Sequence, residues 1–152
     1  MNYTETLHSD VLGELQLDGF VDYATSREID VFQNVNVVFV PGFLVPPQQQ
    51  TEEEFQARLH IAEQMYAELI QKKPSTLLTP QHAKLKSLAL EYGFDEANES
   101  ESDLYRNWKL EHVILFHTGL RLIFFGNTVF PSLDLCLDYD REWNLEELNF
   151  DG

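Results

Sequence analysis

A helix punctuated at both ends lies mid-chain, with strand patterning on either side, and this arrangement restricts the fold more than any other feature. Thr51 suits the N-cap, and Glu54 follows at the spacing of a capping box. Glu52, Glu53 and Glu54 fall in the first turn, where the positive end of the helix dipole favours acids. Phe55, Leu59, Ala62, Tyr66 and Leu69 recur at helical intervals; Lys72 and Lys73 complement the far end, and Pro74 stops it. A second helix is marked by Thr79 as N-cap, Pro80 at the first helical position, the stripe Leu85, Leu88, Ala89 and Tyr92, and Gly93 as terminator. Asp95–Asp103 is polar and acidic, so it reads as a solvated loop or a short irregular helix.

The flanks carry strand signals. Val11–Leu17 alternates imperfectly and closes at Asp18-Gly19. Phe20–Phe32 is rich in strand formers, Gln33-Asn34 is a turn signal, and Asn34–Val40 is the most β-branched run of the chain. Pro41-Gly42, Pro46-Pro47 and Gln48–Gln50 then form a connection, because proline lacks the donor a central strand needs. Beyond Leu104, Trp108–His117 and Leu120–Phe125 flank the turn Thr118-Gly119, and Gly126-Asn127 marks another turn. Leu133–Asp140 alternates cleanly, with Leu133, Leu135, Leu137 and Tyr139 on one face and Asp134, Cys136, Asp138 and Asp140 on the other. The tail from Arg141 is acidic, with Trp143, Leu145, Leu148 and Phe150 as anchors. The order β-β-β-α-α-β-β-β predicts a single α+β domain over residues 1–152, an antiparallel sheet with two main helices packed on one face.

Charge narrows the function. The 152 residues include 26 acids and 10 bases, a net of −16, which repels nucleic acid and anionic membranes. No apolar run is long enough to span a bilayer, and Met1–Asp10 lacks the basic and apolar regions of a signal peptide. Cys136 stands alone, so no internal disulfide forms and the chain reads as cytoplasmic.

Tests for chemistry return little. Asp138-x-Asp140-x-Glu142 copies the opening of a calcium loop, but Trp143 stands where glycine belongs and Asn149 where a bidentate glutamate belongs. His8, His60, His82, His112 and His117 are scattered without zinc-ligand spacing, and no glycine-rich phosphate loop occurs. Neighbouring Asp134 and Asp138 disfavour a Cys136 thiolate. These observations predict no catalytic residue, no metal and no cofactor.

The acids are grouped: Met1–Asp30, Glu91–Asp103 and Leu133–Gly152 each carry a net of −6, against the lysine-rich Lys72–Lys86. If such segments meet in space, they form a surface for a basic partner, with field-driven association and aromatic anchoring. The segment Leu12-Gly13-Glu14-Leu15, the helix Thr51–Lys73 and the strand Trp108–Phe116 ahead of Leu120–Phe125 resemble a group of small acidic bacterial proteins of unknown function. That group is found among immunity proteins of polymorphic and contact-dependent toxin systems. The resemblance implies a stoichiometric inhibitor that neutralises a basic toxin domain, a nuclease above all, by covering its cationic cleft. The residues expected to bind the partner are Asp134, Asp138, Asp140, Glu142 and Glu146, with Trp143 as anchor. Two other readings stay open: a non-catalytic scaffold or adaptor, dimeric through a sheet edge, and a hydrolase whose carboxylates converge with Cys136 or histidines only in the fold.

Overall fold

The two strand-patterned stretches join edge to edge in one eight-stranded sheet. The computed structural model describes residues 1–19 and 21–152; Phe20, expected to open the second strand, lies outside the described residues. Strands β1 (Thr6–Ser9), β2 (Gly13–Asp18), β3 (Asp22–Ile29) and β4 (Phe32–Phe39) precede the helices. Strands β5 (Lys109–Leu115), β6 (Gly119–Phe125), β7 (Asp134–Asp140) and β8 (Leu145–Asp151) follow them. The spatial order equals the chain order, and every neighbouring pair is antiparallel except β4 and β5.

The α+β class holds, but the sheet is larger than the six strands the sequence predicts. β1 escapes sequence reading because it has only four residues. β8 escapes because a bulge at Asp138/Tyr139 sets Glu146 and Glu147 side by side and breaks the alternation. The fully antiparallel expectation also fails at the centre, where Asn36 pairs with His112 and Phe39 with Leu115 in parallel register. A helical crossover carries the chain back to the starting end of the sheet, which is how parallel neighbours are connected.

That crossover holds α1 (Glu52–Lys72), α2 (His82–Glu91) and the short α3 (Glu101–Tyr105). Thr51 caps α1 as its sequence indicates, its hydroxyl accepting from the Glu54 amide at 3.1 Å. Thr79 and Pro80 open a 3₁₀ turn ahead of α2 instead of its first α-helical turn, so α2 begins at His82. Its end is a Schellman motif: the Phe94 amide donates to Ala89 at 2.9 Å and the Gly93 amide to Leu90 at 3.3 Å, with Gly93 at φ 92°.

The core lies between the helices and one sheet face. Val35, Val37 and Phe39 of β4, Val113 and Leu115 of β5, Leu120, Leu122 and Phe124 of β6, and Leu135 and Leu137 of β7 are fully buried there. Phe55, Leu59, Ala62, Met65, Tyr66 and Leu69 of α1 cover them. Each fully buried apolar side chain of this size stabilises the fold by about 1.5–3 kcal/mol before entropy is counted. Gly119 is required at the β5–β6 turn, because a Cβ there would run into the Tyr139 carbonyl. Asn127 is fully buried and ties the crossover to the sheet. Its Nδ2 donates to the carbonyls of Asp103 at 2.9 Å and Arg106 at 2.8 Å, while its Oδ1 accepts from the amides of Val129 and Phe130.

Candidate protein-binding face

With the main helices against the core face of the sheet, the opposite face is left to residues that alternate with the core. The registers set its rows. Ala24, Val38, Ile114, Arg121, Asp138 and Glu147 follow one another across β3 to β8, and Asn36, His112, Ile123, Cys136 and Asn149 form the row beside them. The middle of the face is therefore a half-buried strip of Val38, Ile114, Ile123 and Cys136. Acids stand on both sides of it: Glu14, Asp18, Asp22 and Glu28 on β2 and β3, and Asp134, Asp138, Glu147 and Asp151 on β7 and β8.

Several of these acids face each other directly. Asp18 pairs with Asp22, Asp134 with Asp151, and Asp138 with Glu147. Like charges opposed across a ladder destabilise it. Burial, and then the Asp18 charge, hold the Asp22 carboxyl above its ordinary range. Arg121, the only guanidinium on the face among the described residues, is held by Asp138, with Nε 2.6 Å from Oδ1 and Nη2 3.0 Å from Oδ2. The remaining charge on the face is unbalanced. The strands and their turns carry fifteen acids against four bases, and the crossover between Pro41 and Trp108 eleven against six.

The residues expected to bind a partner fall into three groups. Asp134 and Asp138 lie on the open face as the alternation predicts, Asp138 already engaged by Arg121. Asp140 shapes the β7–β8 turn, its carboxylate accepting from the amides of Glu142 at 2.9 Å and Asn144 at 2.8 Å. Hydrogen bonds from Asn144, backbone and side chain, and then from Glu142 hold its carboxyl below the ordinary range. Glu142 projects from that turn, and Glu146 sits at the bulge, both exposed. Trp143 turns away from the open face and onto α1: its Nε1 donates to Glu68 at 2.6 Å, its ring packs on Tyr139, and Lys72 Nζ lies 5.1 Å above it. Sequence reading counted the acids of β2 and β3 within the acidic segment Met1–Asp30 but named none of them as binding residues; they lie on the same face as those of β7 and β8, and their signal is the alternation Glu14, Gln16, Asp18.

The face is poor in reactive chemistry. Burial pushes the Cys136 thiol up to about 11, and Asp151, Asp138 and Asp134 add to the rise against the pull of Arg121. His112 shares the Cys136 row but stands two strands away with Ile123 between them, a separation of roughly 10 Å. That is beyond the reach of a nucleophile–base pair. Among the described residues, no three histidine, cysteine or carboxylate side chains gather as metal ligands, and no helix is long and apolar enough to cross a membrane.

Comparison with protein-family models, with curated proteins and with solved structures finds no match to the chain.

Proposed function

We propose that the chain is an immunity-type protein, a stoichiometric inhibitor that covers a basic toxin domain, a nuclease in the first instance, with its open acidic face. The observation that carries the reading is the set of opposed like-charged pairs, Asp18 with Asp22, Asp134 with Asp151 and Asp138 with Glu147. A ladder built only for stability would not keep them; a cationic partner broad enough to span the face from β2 to β8 relieves them. The half-buried strip of Val38, Ile114 and Ile123 supplies apolar contact between the flanks, and the acids supply association rate and selectivity. Inhibition by occlusion needs no nucleophile, in keeping with the raised Cys136 thiol. The protein would act inside the cell that makes the toxin.

The test is co-expression with the protein encoded beside it, followed by titration of the purified pair. Replacing Asp134, Glu147 and Asp151 together by lysine weakens the complex at least about tenfold and flattens its salt dependence if this face docks the partner. An unchanged affinity in a folded triple variant overturns the reading.

A further inference from the structure

We infer that the free edge of β8, together with the groove between β8 and α2, is a docking site for an extended segment of the partner in which basic and apolar residues alternate. This rests on the reading above for the charge of the partner and specifies how the partner is held.

The two edges of the sheet differ. β1 has four residues, and its Thr6 carbonyl already accepts from the Thr4 hydroxyl. β8 has seven, and among the described residues no backbone hydrogen bond reaches it except from β7. An unpaired strand of that length is a template for another strand. Beside it a groove of about 540 Å³ runs between β8 and α2, with Leu88, Leu145 and Leu148 along it and three acids, Glu91, Glu146 and Glu147, against one base, Lys84, at its margins.

Period-two geometry fixes what fits. On β8, Leu148 and Phe150 point to the helices while Glu147, Asn149 and Asp151 point to the open face. An added strand therefore sends alternate side chains towards the leucine-lined groove and the others beside Glu147 and Asp151. Apolar residues suit the first set and lysine or arginine the second. A second copy of this chain is a poor occupant, because an added β8 sets glutamates and aspartates beside their own kind.

A blocked seven-residue peptide of alternating lysine and valine, titrated into the full ¹⁵N-labelled chain, tests this. Saturable amide shifts confined to Leu145–Asp151 and Ala83–Glu91 are the expected result. N-methylation of the three amides on one edge of the peptide leaves its charge intact but removes three hydrogen bonds, and weakens binding about a hundredfold. Equal binding of the methylated peptide, no shifts at all, or concentration-dependent shifts of β8 without peptide overturns the edge site. Shifts spread over Asp18 and Asp22 overturn it too, yet leave the acidic-face reading standing; that reading fails only if charge reversal spares the complex.

Discussion

Arg121 of β6 grips Asp138 of β7 through two nitrogens on the open face, at 2.6 and 3.0 Å, directly beside Glu147. The pair is one half of an unequal arrangement, since Asp138 has an acid on its other side. Removing the arginine leaves two facing carboxylates, whereas neutralising the aspartate removes a repulsion together with an attraction. Arg121→Met should therefore cost about 1–2 kcal/mol in urea unfolding, and Asp138→Asn under about 1 kcal/mol. Equal losses would show that Glu147 does not oppose Asp138.

Asn127 should be the most sensitive polar position. Asn127→Ala leaves two amides and at least two carbonyls without their partner at a fully buried site. A loss of about 3 kcal/mol is expected, measured as a shift of the denaturant midpoint at constant slope. A loss under about 1 kcal/mol would mean that water replaces the side chain.

His117 makes stability depend on pH. Burial, and then the charges of Arg58 and Arg141, hold its imidazole below the ordinary 6.5. A base whose folded value is lowered binds fewer protons in the native state than in the unfolded one, so stability rises with pH. The contribution is complete above pH 6.5 and is lost as pH falls towards the folded value. His117→Gln should flatten the decline of Tm between about pH 7 and 5. A parallel decline in the variant would assign the effect to other groups.

Salt should stabilise the free protein. The opposed pair Asp134 and Asp151 contributes repulsion that mobile ions screen. Asp134→Asn should raise stability by about 0.5 kcal/mol at low ionic strength, and the gain should shrink by about 0.5 M sodium chloride. A gain independent of salt would point to a packing effect.

What the sequence makes legible is what is decided locally. Thr51 and Pro74 bound α1 because caps and prolines act over one helical turn. Leu135, Leu137 and Tyr139 go inward because alternation is a property of the strand itself. The parallel junction of Asn36 with His112 was not legible, since that pairing spans 76 residues and leaves no local mark. The β8 strand was hidden by its bulge, and the attachment of Trp143 to Glu68 by a separation of 75 residues. The placement of Asp18 and Asp22 on the same face as Asp134 and Asp151, at opposite corners of it, depends on the same long-range joining of the halves.

The junction of β4 with β5 has a consequence for how the molecule assembles. Within each half, successive strands zip through connections of two to eight residues, whereas the central seam closes only after the whole crossover has been gathered in. Chain entropy sets that closure late. Pulsed hydrogen exchange should find the amides of Val38 and Val113, which face each other's strand across the seam, acquiring protection after those paired between β6 and β7. The middle of the sheet, the best-shielded place in the finished protein, is then the last to be stitched, and until it is, both halves expose a sticky raw margin.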